Sequence, residues 1–157
     1  MGGDLKNNKF VIVVDTREQK ELVFGKFAIE KKCLSAGDYS IQGYEDQITF
    51  ERKSVQDLVG TLIGGHERFL REMERMRAYK VRYILIEHSP EVLYTYCARH
   101  GWQRKFNTII QSLLAYACHY QVRVRFCKDR EDMTSYIVKK SKEFINKEGG
   151  NDNENQQ

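Results

Sequence analysis

The 157-residue sequence predicts an α/β fold, a mixed central sheet flanked by helices, in one domain spanning residues 1–147. Three observations lead there. Short β-branched runs such as Phe10–Val14 alternate with longer segments whose apolar residues repeat at helical spacing, the pattern of a sheet covered by helices. Between Phe27 and Lys53 the strand-like runs are joined by turn residues instead of a helix, so part of the sheet is a hairpin. No apolar run approaches the roughly 20 residues that a membrane span needs.

The elements follow in order. Lys9–Asp15 (KFVIVVD) is a β-branched run with charged flanks, the mark of a core strand buried on both faces. Phe27–Cys33 alternates weakly and is read as a second strand. The turn cluster Ser35-Ala36-Gly37-Asp38 leads into Tyr39-Ser40-Ile41, and Gly43–Gln47 is a hairpin loop from which Ile48–Lys53 returns. Ser54-x-x-Asp57 has the form of a capping box with Asp in the usual Glu place, and Gly64-Gly65 ends the helix it opens. From Glu67 to Tyr79, Phe69, Leu70, Met73 and Met76 form an apolar stripe. Arg68, Arg71 and Arg75 lie on another face, interleaved with Glu67, Glu72 and Glu74, which favours a salt-bridged helix surface over a DNA track. Arg82–Glu87 is a core strand. Ser89-Pro90-Glu91 then combines an N-cap, a first-position proline and a first-turn acid, and Gly101 closes the helix they open. A helix over Gln103–Tyr120, a strand over Val122–Cys127 and a helix over Arg130–Asn146 complete the domain, and the Gly-, Asn- and Gln-rich residues 148–157 are expected to be a disordered tail.

The formal net charge is +4, and because Glu148, Asp152 and Glu154 have no basic counterpart among the last ten residues, residues 1–147 carry +7. That balance favours a polyanionic partner. Cys33, Cys97, Cys118 and Cys127 lack the spacing of a disulfide framework, and no secretory apolar segment opens the chain. A reducing, intracellular setting is expected, away from membranes.

The densest polar constellation is Gly37-Asp38 followed, after twelve residues, by Glu51-Arg52-Lys53. On a strand, residues i and i+2 share a face, so Glu51 and Lys53 point together and Arg52 points away. Asp38, carried on the neighbouring strand of the hairpin, can then sit beside Glu51, where two carboxylates repel unless a divalent cation neutralises them. A hard ion, Mg²⁺ or Mn²⁺, suits such oxygen ligands and activates water for attack on a phosphodiester. Asp15-Thr16-Arg17-Glu18 adds two acids at the carboxyl end of the first strand, where α/β sheets commonly hold their sites.

Three blocks, Val13-Val14-Asp15-Thr16-Arg17-Glu18, Gly37-Asp38-Tyr39 and Glu51-Arg52-Lys53-Ser54-Val55-Gln56-Asp57-Leu58, resemble in residues and order the signature of the XPF-type structure-specific endonucleases. The resemblance implies a restriction-endonuclease-like core with metal ligands at Asp38 and Glu51 and a catalytic Lys53. It places Asp15, Arg17, Glu18 and Arg52 in the same active site, with Asp15 as a third candidate ligand. It implies a metal-dependent endonuclease acting on branched DNA such as flaps, forks or junctions, working as a homodimer or heterodimer of nuclease domains. The alternatives are a junction resolvase or restriction-type enzyme on the same core, and a catalytically silent nuclease-like module that binds DNA or a partner; retention of Asp15, Asp38, Glu51 and Lys53 argues against the silent module. Arg99, Trp102, Arg104 and Lys105 are candidate DNA contacts, mixing cations with an indole that can stack on a base. A zinc site from Cys97, His100, Cys118 and His119 is disfavoured, because adjacent helical residues diverge by about 100°.

Overall fold

The computed structural model describes residues 10–154; Lys9, at the head of the expected first strand, and residues 155–157 of the expected tail lie outside it. Strand β1 (Ile12–Asp15) is buried along its whole length, as its apolar run requires. It pairs in parallel with β2 (Ile29–Lys32), a largely exposed edge strand, and antiparallel with β3 (Tyr39–Ile41). The hairpin expectation holds: β3 runs antiparallel to β4 (Ile48–Lys53). Two parallel neighbours follow, β5 (Val81–Glu87) and β6 (Arg123–Cys127), so the six-stranded mixed sheet has the order β2-β1-β3-β4-β5-β6.

This topology decides where the chemistry gathers. The carboxyl ends of β1, β4, β5 and β6 and the amino end of β3 emerge at one edge of the sheet. Asp15, Asp38, Glu51, Lys53 and Glu87 therefore share that edge. Along β4 the first three residues are buried and the last three half-buried, so the strand changes from core to site within six residues.

Helices cover both faces. Helices α1 (Val55–Gly64), α2 (His66–Met76), α3 (Pro90–Arg99) and α4 (Phe106–Tyr120) pack over Ile84 and Ile86 of β5. Helix α5 (Arg130–Glu154) covers the other face, where Met133, Ile137 and Phe144 meet Ile12, Val14, Phe50, Tyr83 and Leu85. The alternation of β5 between the two cores is the period-two geometry of a strand, and Phe50 stacks on Tyr83 at 5.0 Å between ring centres.

Local signals explain the helix ends. Ser54 accepts a hydrogen bond from the Asp57 backbone N–H at 3.0 Å, half of the capping box its sequence suggests. Gly101 follows α3 with φ +71°. The expected helix over Gln103–Tyr120 opens as one 3₁₀ turn, Gln103–Lys105, before α4 begins. Helix α5 continues to Glu154 instead of ending at Asn146, into the segment expected to form the tail; Lys80 pairs with Glu148 at 2.7 Å and ties the extension to the domain. Among the described residues all four cysteines are free, and no helix is long and apolar enough to cross a membrane.

Candidate active site

Strands β1 and β4 hold the Gly37–Asp38 turn in place. The Asp38 N–H donates to the Phe50 carbonyl at 2.8 Å, the Asp15 N–H donates to the Asp38 carbonyl at 2.8 Å, and the Arg52 N–H donates to Asp38 Oδ2 at 2.8 Å. Gly37 adopts φ +77°, and a Cβ there would fall 2.0 Å from Thr49 Oγ1, so this close approach of backbone to β4 requires glycine. The turn delivers the Asp38 carboxyl to the end of β4. Glu51 and Lys53 share the face of β4 that looks toward α2, with Lys53 Nζ 3.8 Å from Glu51 Oε1 and 5.4 Å from the centre of the Phe69 ring.

Burial dominates the electrostatics of the two acids. Burial, and with it the nearby Glu18 carboxylate, lifts Asp38 to about 6 despite the hydrogen bond from Arg52. Burial and then the Asp38 charge push Glu51 well above the ordinary carboxylate range, with Lys53 offsetting only part of the effect. Two desolvated carboxylates that each disfavour the other's charge suit a divalent cation. Asp38 and Glu51 therefore fit Mg²⁺ or Mn²⁺, ions that proteins commonly hold through one or two carboxylates with water and phosphate completing the shell.

Asp15 stands differently. Its Oδ1 accepts from the Arg17 N–H and Nε, and its Oδ2 from Arg17 Nη2 and the Leu34 N–H, at 2.7–2.9 Å. These four donors fill the acceptor sites of a carboxylate. Although burial works against it, they hold Asp15 below its ordinary value. Asp15, the third candidate ligand, thus has its carboxylate engaged by Arg17 and Leu34, and the exposed Arg17 is the partner that a cation would have to displace.

Arg52 points away from Glu51 and Lys53, as strand alternation requires. It makes a two-pronged pair with Glu18 at 2.9 and 3.0 Å and reaches Glu87 at 3.1 Å. Glu87 also receives Arg130 from the start of α5. Arg52 and Glu18 are thus a buried tie joining β4, the loop after β1, β5 and α5.

A cleft of about 630 Å³ encloses Asp15, Arg17, Glu18, Asp38, Glu51, Arg52 and Lys53, with α1 and α2 as its other wall. A family model, the ERCC4 domain, matches residues 14–140. The chain belongs to the ERCC4 domain family. Its fold is that of an XPF-type nuclease domain. XPF from Aeropyrum pernix superposes with a TM-score of 0.70 at 20% identity, covering 86% of this chain and 65% of that one. XPF from Aeropyrum pernix in complex with DNA gives 0.69 at 19% identity, covering 88% and 66%. This ERCC4 domain chain therefore spans just under two thirds of those structures. No curated protein matches it in sequence.

The segment carrying Arg99, Trp102, Arg104 and Lys105 is not part of the cleft wall. Trp102 packs on the helical core and stacks on His100 at 5.3 Å, while Arg99, Arg104 and Lys105 are exposed beside it. His66 faces Tyr116 at 3.3 Å. The basic stripe of α2 is salt-bridged as expected through Arg71–Glu67 and Arg75–Glu72, yet Arg68 and Arg75 also line the cleft. The sequence reading of this ERCC4 domain missed Glu72 as a lining residue of the cleft and Glu87 as the partner of Arg52 beside it. Glu87 had a signal, since it ends a core strand as Asp15 does; Glu72 lies three residues after Phe69, on the border of the apolar stripe that faces the site.

Proposed function

We propose that this domain, taken as residues 1–147, is a metal-dependent DNA endonuclease that hydrolyses phosphodiester bonds in branched DNA such as flaps, forks or junctions. The observation that carries the reading is the meeting of Asp38, Glu51 and Lys53 in one cleft flanked by Arg68 and Arg75.

Asp38 and Glu51 would hold Mg²⁺ or Mn²⁺; when bound, the ion lowers the pKa of water and offsets charge on the phosphoryl oxygens. Lys53 keeps its ammonium beside Glu51, where it orients the attacking water or balances negative charge growing on the phosphate. Phe69 restrains Lys53 from the other wall. Arg68 and Arg75 attract the phosphate backbone, and Arg17, Glu18 and Arg52 keep the frame on which the acids stand. Selection of branched DNA rests on the XPF-type motif blocks and the likeness to an XPF whose structure was determined with DNA. Pairing with a second nuclease domain, in a homodimer or a heterodimer, belongs to the same reading, as does an intracellular location.

The deciding assay offers labelled flap, fork, bubble, four-way junction and plain duplex DNA with Mg²⁺, Mn²⁺ or EDTA. Cleavage near the branch with either metal and none in EDTA is expected. Blunt cutting of plain duplex would point to a restriction-type enzyme, and binding without any cutting to a silent module.

A further inference from the structure

Helix α2 touches the site twice from the wall opposite β4. Phe69 lies against the Lys53 ammonium, and three residues later Glu72 Oε1 accepts the Gly37 N–H at 2.9 Å. Gly37 immediately precedes the candidate ligand Asp38, and it has no side chain with which to anchor the turn. An oxygen acceptor at this place satisfies the Gly37 N–H, while Arg75 pairs with the other carboxylate oxygen. A third acid beside Asp38 and Glu51 is electrostatically unfavourable, and in this cleft its defined contact with the site is a backbone N–H.

We propose that Glu72 is a positioning residue that sets the Asp38 carboxylate for the metal by holding the Gly37 N–H. The inference rests on the nuclease reading for its link to metal and catalysis. It requires the acceptor at position 72 rather than the charge, and that separates it from a direct role as a ligand.

The test compares Glu72→Gln, which keeps an acceptor oxygen, with Glu72→Met, which keeps length and helix packing but accepts nothing. Melting temperature establishes folding, and Glu72→Ala replaces the Met variant if that one fails to fold. Mg²⁺ affinity is measured by calorimetry, the Gly37 amide by hydrogen exchange, and cleavage by single turnover. Glu72→Met should weaken Mg²⁺ binding about 10- to 100-fold, the usual loss when a residue supporting a metal ligand is removed. Its Gly37 amide should exchange faster, and Glu72→Gln should stay close to the parent in both. A Gln variant as impaired as Met would overturn the proposal, since the charge would then be what matters, and so would a Met variant indistinguishable from the parent. A parent that neither binds Mg²⁺ nor cuts would sink the nuclease reading instead, and the Gly37 amide alone would then decide whether Glu72 holds the turn.

Discussion

At pH 8 Asp38, lifted to about 6, carries its charge in a cleft that desolvates it. For Asp38 the folded value of about 6 lies above the unfolded one, which is near 3.9. Ionisation of Asp38 therefore opposes folding: the penalty is absent below about pH 4, grows between the two values and is complete above the folded one. Asn at this position can still accept the Arg52 N–H, so in EDTA Asp38→Asn should melt above the parent at pH 8, with the gain vanishing toward pH 4. Adding Mg²⁺ should raise the melting temperature of the parent and not of the variant. Asp38→Asn and Glu51→Gln should each abolish cleavage while DNA affinity stays within a few fold, and near-normal turnover in either would remove it from the ligand set. Under the proposed function Lys53 acts on the reacting atoms, so Lys53→Ala should cost roughly 10² to 10⁴ in rate with little change in stability. A variant cutting at the parental rate would make Lys53 a bystander.

One residue earlier, Arg52 works between elements. It joins the end of β4 to Glu18 in the loop after β1 and to Glu87 at the end of β5, with side chains only 9%, 4% and 12% exposed. Removing one partner of a buried pair leaves the other charge uncompensated, at a cost of about 3–5 kcal/mol. Arg52→Ala should therefore lower unfolding free energy by several kcal/mol in urea titrations, in contrast to Lys53→Ala beside it. A normally stable but inactive Arg52→Ala would contradict its role as a tie and place it in the chemistry.

For the molecule as a whole, the proposed function together with a charge of +7 over residues 1–147 predicts a DNA affinity that depends heavily on phosphate contacts. With about six contacts, affinity should fall on the order of 10³-fold between 50 and 200 mM salt. The salt slope also locates the binding surface. Arg104 and Lys105 stand outside the cleft, so neutralising both should reduce the slope by up to about two contacts only if DNA extends past the cleft wall onto the Trp102 segment. Titrating Asp38→Asn with forked DNA, with and without these changes, separates the cases, and a flat slope would count against nucleic acid as the partner.

The sequence by itself determined the elements and the heart of the candidate site. Apolar spacing along neighbouring residues is a local property, and it placed every strand, while the alternation of a strand was enough to turn Glu51 and Lys53 together and Arg52 away. Turn chemistry around Gly37 was legible for the same reason, since backbone conformation depends on adjacent residues. Partners distant in the chain were not legible. That Arg17 and Leu34 saturate Asp15, that Arg52 bridges Glu18 and Glu87, and that Glu72 reaches back 35 residues to Gly37 follow from β1 lying between β2 and β3 and from α2 closing over the end of β4. The position of Trp102 off the cleft and the extension of α5 past Asn146 were decided in the same way. Such contacts arise when whole elements pack against one another, and no spacing along the chain records which side chains that packing brings together.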